Sequence, residues 1–303
     1  MPPQIFSLDF SQFPNFTSLY FGYIARGLLG MDTSFIGLSS FVSYAAFDAY
    51  SPSSAYYGVI PDYILAKSTL TSITFGDEGF GNKTFAQNKM DAIAPSFPNL
   101  RFINIFRIPL TNTNGGQGAF PANFASISTL VSISVDTSQF TSIPSVIGTY
   151  PALSSVNFSY NAGLNSWGDF SGLGEKLTML AVTRCINLTE VLPAYFSQFT
   201  KLKAFVWRGL GGGIPGKIDS FITNLYDLIV ANAAMAGAAT LDFRGVRVNI
   251  ESESGTNGVV PVGIYQRPAG YVAGVSNGTP ATSLERVWVL VNQYLHTWTY
   301  RQV

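Results

Sequence analysis

A short apolar frame recurs through most of the chain. Its pattern is an apolar residue, two variable residues, an apolar residue, one variable residue and a third apolar residue. Such alternation predicts a strand with one set of side chains turned inward. The clear copies begin at Leu70, Leu100, Leu130, Leu153, Leu177, Leu202 and Leu225, and weaker copies begin at Phe16 and Leu38. Their recurrence roughly every 22 to 32 residues indicates stacked structural repeats.

A second element, apolar-proline-x-x-apolar, lies between the frames. Its prolines are Pro61, Pro121, Pro144, Pro193 and Pro215. Proline has a fixed φ and no N–H, which suits the start of a helical turn. One unit cannot bury its apolar side alone, whereas stacked units share a continuous core. We therefore predict an α/β solenoid, with a curved parallel β-sheet and short helical or irregular convex segments.

The frame resembles the L-x-x-L-x-L-x-x-N/C-x-L motif of leucine-rich-repeat proteins. Its fullest copy runs from Leu153 to Leu164, with Asn161 at the asparagine position. In the copy that begins at Leu177, Asn187 and Leu188 come later than the motif expects. The resemblance covers about residues 10–240, and it implies a binding protein that does not catalyse a reaction.

The chain divides into four predicted parts. Residues 1–15 form an N-terminal cap, 16–240 a solenoid of about nine units, and 241–258 a terminal strand and linker. Residues 259–303 form a small antiparallel β module, because "VVPVGIYQ", "GYVAGV", "RVWVLVNQY" and "HTWTYR" alternate like strands. Asn277-Gly278 predicts a hairpin turn there.

We expect this C-terminal module to act as a cap, a docking element or a homo-oligomer contact. The candidate contact residues are Trp288, His296, Trp298 and Tyr300. Its sequence loosely resembles C-terminal segments of bacteriophage structural proteins and of related repeat proteins from Bacteroidetes. That resemblance implies a place in a virion.

Charge argues against several classes of partner. Charged residues make up 11% of the chain, with 17 Lys plus Arg against 17 Asp plus Glu. No basic run provides the footprint that nucleic acid or an anionic membrane surface requires. The N-terminal stretch lacks the pattern of a signal peptide, and no apolar run is long enough for a membrane-spanning helix. We therefore expect no nucleic-acid binding and no membrane insertion.

The stretch "GLGGGIPGKI" matches most of a phosphate-binding loop through Gly211, Gly216 and Lys217. Gly216 and Lys217, however, are the two variable positions of the fifth proline element. Ile218 also stands where such a loop needs Ser or Thr for magnesium. The match is a consequence of the repeat, and we predict no nucleotide and no other cofactor.

Catalytic and metal sites have little support in the sequence. His296 is the only histidine and Cys185 the only cysteine, which leaves no triad, disulfide or cysteine-based metal site signalled. We expect Cys185 to be a buried small apolar residue. Asp136 and Asp227 lie about four repeats apart, which is too far for a glycosidase pair. We predict no catalytic and no metal-binding residues.

The outward strand positions form the candidate binding surface, because aromatic and Arg side chains dominate interface energetics. A plainly solvated sheet face is the alternative. The candidates are Tyr20, Tyr44, Phe102, Asn104, Phe106, Asp136, Asn157, Arg208 and Asp227.

Three functional hypotheses follow. The first is a non-enzymatic phage virion component that docks with other structural proteins or attaches to a host receptor or glycan. The second is a protein-binding scaffold in the bacterial cytoplasm. The third is a polysaccharide-acting enzyme.

Overall fold

The centre of the protein is one parallel sheet built in chain order. The computed structural model describes residues 12–21, 42–48, 65–77, 87–108, 110–111, 119–188, 190, 192–208, 213–214, 218–231, 240–242, 247–248 and 266–294. Nine strands lie side by side in the order in which they occur along the chain. They are β1 (Ser18–Phe21), β2 (Ser43–Asp48), β3 (Ser72–Asp77), β4 (Phe102–Phe106), β5 (Ser132–Asp136), β6 (Ser155–Asn157), β7 (Met179–Thr183), β8 (Ala204–Arg208) and β10 (Thr240–Asp242).

The other elements lie on the connections or follow the sheet. β9 (Gly213–Ile214) pairs in parallel with β11 (Arg247–Val248), and β12 (Tyr271–Val272) pairs antiparallel with β13 (Ser276–Asn277). The α-helices are α1 (Gln87–Ser96), α2 (Ile218–Ala231) and α3 (Ser283–Asn292). Short 3-10 helices span Ala122–Ser126, Ser145–Thr149, Ser171–Leu173 and Ala194–Gln198. No helix in these described segments has both the length and the apolar character needed to cross a membrane.

Backbone pairing keeps the apolar frame in register from strand to strand. Ile73 pairs with Ile103, Ile103 with Ile133, and Ile133 with Val156. All four side chains are buried. Successive side chains of a strand point to opposite faces, and the alternate positions therefore form the other face of the sheet. The predicted solenoid with a shared core is confirmed.

The proline elements begin the predicted helical turns. Pro121, Pro144 and Pro193 stand with extended backbone directly before three of the 3-10 helices. The apolar residue three positions after each proline is fully buried. Each turn therefore returns an apolar side chain to the core. Pro61 and Pro215 lie outside the described residues.

Aromatic rings fill the space between the 3-10 helices and the sheet. The ring of Phe196, on the helix Ala194–Gln198, lies 5.9 Å from that of Phe205 on β8. It also lies 5.1 Å from Trp167 and 5.8 Å from Phe170, which belong to the preceding connection. Contacts of this kind link each unit to its neighbour, as a solenoid requires, since each of its units contacts only the adjacent ones.

One buried asparagine ties its own unit to the unit before it. The side-chain oxygen of Asn161 accepts a hydrogen bond of 2.6 Å from the Ser138 N–H. Its NH₂ group donates to the carbonyl oxygens of Val135 and Ser159, each at 3.1 Å. Asn161 is fully buried, so these bonds satisfy groups that water does not reach.

Cys185 holds the equivalent position in the next unit. It stands as far after Leu177 as Asn161 stands after Leu153, and its thiol donates to the Phe158 carbonyl at 2.9 Å. The prediction that Cys185 is buried is confirmed, and burial raises the pKa of its thiol to about 12. The apparent irregularity of this copy was an error, because the motif position belongs to Cys185 and not to Asn187.

The frame assigned to Leu38 is out of register. β2 begins at Ser43, which pairs with Ser18 and with Ser72. The matching copy therefore starts at Phe41, three residues later than predicted. This segment is rich in Ser, Tyr and Phe, so more than one placement of the frame satisfied the pattern.

The copy that begins at Leu225 is not a strand. It lies inside α2, where Ile222, Leu225, Tyr226 and Ile229 are buried. These residues follow helical spacing, and the same letters also fit a period of two over six positions. The strand that pairs with β8 is β10, and the sheet consequently extends to Asp242.

The C-terminal module is partly helical. The predicted strand "RVWVLVNQY" lies mostly in α3, which begins with a capping box between Thr282 and Glu285. This T-x-x-E signal outweighs the local alternation of the Val and Trp residues. The antiparallel pair β12–β13 confirms a hairpin, but Asn277-Gly278 is not its turn, because Asn277 is the last residue of β13. The turn contains Gly274, which has a φ of +73°.

The described part of this module, residues 266–294, packs on the end of the solenoid. α3 contacts α2, and α2 contacts the 3-10 helix Ala194–Gln198. The Asn277 side chain hydrogen-bonds to Tyr226, and the Tyr271 ring meets the Trp288 ring edge-on at 4.4 Å. These contacts favour the predicted role as an end cap.

We predict that Leu153→Ala lowers the free energy of unfolding by about 2–5 kcal/mol, because it leaves a cavity in the shared core. Denaturant titration followed by circular dichroism measures the loss. Lys201→Ala is the control, since Lys201 is exposed and its loss should change stability by less than about 0.5 kcal/mol. Equal effects of the two substitutions would contradict the assigned register.

Asn161→Ala should cost about 3 kcal/mol, because it leaves the buried Ser138 N–H without its acceptor and removes a donor from the carbonyl groups of Val135 and Ser159. The same denaturant titration tests this expectation. Cys185→Ser should cost about 1 kcal/mol or less, since a hydroxyl can still donate to Phe158. An Asn161→Ala variant with an unchanged free energy of unfolding would show that these hydrogen bonds do not stabilise the fold.

Stability should fall at alkaline pH because of two buried tyrosines. Tyr150 donates to the Pro121 carbonyl at 2.9 Å and Tyr195 to the Gly168 carbonyl at 2.6 Å. Burial raises the pKa of both phenols above their ordinary value. Their stabilisation is therefore complete below about pH 10, the pKa of tyrosine in an unfolded chain, and is lost as pH rises further.

Denaturant midpoints measured from neutral to strongly alkaline pH should remain flat and then decline above about pH 10. Tyr150→Phe combined with Tyr195→Phe should be less stable at neutral pH and show a shallower decline. An unchanged slope in that double variant would show that other groups cause the alkaline loss.

Candidate functional site

The solvent side of strands β3 to β8, called the open face below, consists of three rows of side chains in register. The first row is Ser72, Phe102, Ser132, Ser155, Met179 and Ala204. The second row is Thr74, Asn104, Ser134, Asn157, Ala181 and Val206. The third row is Gly76, Phe106, Asp136, Ser159 and Thr183. Arg208 pairs with Thr183 in the backbone register. Small polar and apolar side chains dominate, so the few large ones stand out from the surface.

Strand β4 forms an aromatic ridge on this face. The Phe102 side chain is 43% exposed, Asn104 is exposed and Phe106 is half-buried. The Arg101 guanidinium lies 5.4 Å from the centre of the Phe102 ring, and that of Arg107 lies 4.8 Å from the Phe106 ring. The ridge therefore combines two rings, a central amide and a cation at each end.

Gly76 makes room for the ridge. A Cβ atom at this position would lie 2.7 Å from the Phe106 carbonyl oxygen and 2.8 Å from the Phe106 Cβ. No side chain fits there without moving β4. Sequence reasoning did not identify Gly76, although a glycine inside a strand often marks a close approach of this kind.

Next to the ridge, β5 to β7 carry a hydrogen-bond network. The Asn157 NH₂ donates to the Ser134 hydroxyl at 3.2 Å, and the Ser159 hydroxyl donates to the Asn157 side-chain oxygen at 2.5 Å. The Thr183 N–H in turn donates to the Ser159 hydroxyl at 3.3 Å. Thr137 donates through its hydroxyl to the Asp136 carboxylate. This part of the open face has its polar groups held in fixed positions.

The structure brings together five of the residues predicted as contacts. Phe102, Asn104, Phe106, Asp136 and Asn157 lie on the neighbouring strands β4, β5 and β6.

Two more predicted residues lie farther along the same sheet. Tyr20 on β1 is level with the second row, and Arg208 on β8 is level with Thr183.

Two predicted contact residues occupy other places. Tyr44 pairs in the backbone register with Leu19 and Ile73, and it therefore belongs to the inward series of positions. The misplaced frame at Leu38 caused this error. Asp227 is exposed on helix α2 and not on a strand.

The predicted docking residues are only partly described. Trp288 is half-buried on α3 and packs within the C-terminal module against Tyr271. His296, Trp298 and Tyr300 lie outside the described residues. In the described part of the chain, no three His, Cys, Asp or Glu side chains are grouped closely enough to hold a metal ion.

Sequence reasoning also missed the residues that follow the strands. Arg107, Thr137, Tyr160 and Arg184 all have a positive φ, between 52° and 58°. Each lies seven positions after the leading Leu of its frame, and that spacing is visible in the sequence. The sequence does not show that the backbone has a positive φ at these positions.

The comparison with solved structures identifies the architecture. A leucine-rich-repeat protein from Leptospira interrogans matches 82% of this chain and 57% of its own, with 14% identity and a TM-score of 0.50. This is a leucine-rich-repeat fold. The chain thus spans a little over half the length of that neighbour.

Two further leucine-rich-repeat structures are similar over most of the chain. The Toll–Spätzle complex of Drosophila matches 72% of this chain and 29% of its own, at 15% identity and a TM-score of 0.43. An internalin from Listeria monocytogenes matches 75% of this chain and 74% of its own, at 10% identity and a TM-score of 0.34. No protein-family model matches the sequence, and no curated protein matches it. The comparisons give no support to the bacteriophage resemblance.

Proposed function

We propose that the protein is a binding scaffold that holds another protein or a peptide on its open face. The observation that carries this proposal is the aromatic ridge on β4. Phe102 is 43% exposed in the middle of the sheet. Covering its ring with a partner removes apolar surface from water, which stabilises the complex. Exposed aromatic side chains with neighbouring Arg are also the commonest centres of binding energy in interfaces.

The surroundings of the ridge suit a peptide chain. Asn104 lies between the two rings, and its amide can donate to and accept from a peptide backbone. Ser72 and Ser132 flank Phe102 on the neighbouring strands. These flanking side chains are small, so a partner's side chains can pack against the sides of the Phe102 ring.

The rigidity of the face supports the same role. The network around Asn157 and the packing of Phe106 over Gly76 fix the surface before a partner arrives. A surface that is already ordered loses little conformational entropy on binding. A place in a virion and attachment to a host receptor or glycan stay predictions that rest only on the resemblance of the C-terminal segment.

A displayed random-peptide library selected on the immobilised full chain tests this function. We expect enriched peptides whose affinity, measured by fluorescence anisotropy, falls about tenfold or more in Phe102→Ser combined with Phe106→Ser. Val275→Ser is the matched control, because Val275 is an exposed apolar residue of the C-terminal hairpin. Failure to enrich any peptide, or peptides that bind equally well to the ridge variant, would overturn the proposal.

A further inference from the structure

Four consecutive units place a non-glycine residue in the left-handed conformation at the same corner. These residues, called the corner row below, are Arg107, Thr137, Tyr160 and Arg184, which follow the third row of the open face. The Arg107 N–H donates to the Asp136 carbonyl at 2.8 Å, and the Tyr160 N–H to the Thr183 carbonyl at 2.6 Å. The same corner therefore recurs at the C-terminal ends of these strands.

The residue types at this corner do not suit its backbone. A positive φ favours Gly, and after it Asn or Asp, because other residues bring Cβ too close to the backbone. The corner row instead carries two Arg, one Tyr and one Thr. Strained positions of this kind cluster at binding sites, where the side chain matters more than the local free energy.

Two stacks hold the arginines of the corner row in place. The Arg107 guanidinium lies 4.8 Å from the centre of the Phe106 ring, and that of Arg184 lies 5.4 Å from the Tyr160 ring. Stacking uses the planar face of a guanidinium, whereas carboxylates bind to the N–H groups along its edge. Arg107 takes part in a further contact within the chain, and a guanidinium with five N–H donors can still bind a carboxylate of a partner. Tyr160, Thr137 and Arg184 are exposed, so a partner can reach the row.

The spacing of the two arginines matches an extended chain that crosses the strands. β4 and β7 are three strands apart, or about 14 Å at the usual separation of strands in a sheet. An extended peptide advances about 3.4 Å per residue, which places its residues i and i+4 opposite Arg107 and Arg184. Tyr160 follows β6, two strands from β4, so residue i+2 or i+3 of the peptide would lie near its ring, which is 43% exposed.

Charge selects the type of side chain that a partner presents. Between the ends of β4 and β7, the charged residues described in the third row and the corner row are two cations, Arg107 and Arg184, and one anion, Asp136. The Asp136 carboxylate accepts a hydrogen bond from the Thr137 hydroxyl. Beyond β7, Arg208 is level with Thr183.

The geometry points to a binding site on the corner row for an extended acidic segment of a partner protein. The segment carries carboxylate side chains four residues apart, which pair with Arg107 and Arg184, and an apolar residue between them that packs on Tyr160. This inference rests on the proposed function and specifies the chemistry of the partner.

The library selection described above gives the first test. Peptides enriched on the full chain should carry Asp or Glu at positions i and i+4, and their affinity should fall between low and high salt. Arg107→Gln combined with Arg184→Gln should weaken them about ten- to thirtyfold. Lys201→Gln is the control, because Lys201 is an exposed cation that belongs to neither the ridge nor the corner row.

A second variant separates binding from folding. Arg184→Asn removes the guanidinium and places at a φ of +55° a residue that tolerates this conformation better. Its thermal midpoint should equal or exceed that of the unchanged protein, whereas its affinity for the acidic peptides should fall. A lower midpoint would show that Arg184 serves the fold and would overturn its assignment to binding.

The outcomes distinguish this inference from the proposed function. One contrary result is that the enriched peptides depend on Phe102 but lack the paired acidic residues, and another is that they bind equally well to the Arg107→Gln and Arg184→Gln double variant. Either result would overturn the binding site for an acidic segment and leave the scaffold function in place. A library that enriches nothing would overturn both.

Discussion

The structure depends on a single constraint, which is that the strands β3 to β8 bury the same positions of the repeat against their neighbours. The parallel register aligns Ile73, Ile103, Ile133 and Val156, so an apolar residue in one unit always meets an apolar residue in the next. The same register leaves the alternate positions on the solvent side in straight rows. The binding surface is therefore a consequence of core packing, and one repeat pattern determines both.

Much of the fold could be predicted because this constraint is visible in the amino-acid sequence. The leading leucines, the prolines before the 3-10 helices and the buried Cys185 all follow from it. Prediction failed where two periods fit the same residues. The stretch from Leu225 to Val230 alternates like a strand but belongs to a helix, and the segment around Val287 contains a capping box that outweighs its alternation.

The candidate site was predictable to a smaller extent. Phe102 and Phe106 stood out as large residues at outward positions, and the structure places them on the exposed side of β4. The stacking of Arg107 and Arg184, and the room that Gly76 leaves for Phe106, depend on packing between units. The sequence of a single unit does not show how its side chains pack against the next unit. Tyr44 was misplaced because the frame that contains it was assigned three residues out of register.

The most direct test of the central claim is a crystal structure of the chain with a peptide selected for binding to it. The account predicts that the peptide lies on the solvent side of the sheet, against the rings of Phe102 or Phe106 and across the ends of β4 to β7. Its acidic side chains should contact Arg107 and Arg184. A peptide bound on the 3-10 helical side, or on helix α3, would contradict the claim that the open face is the functional surface.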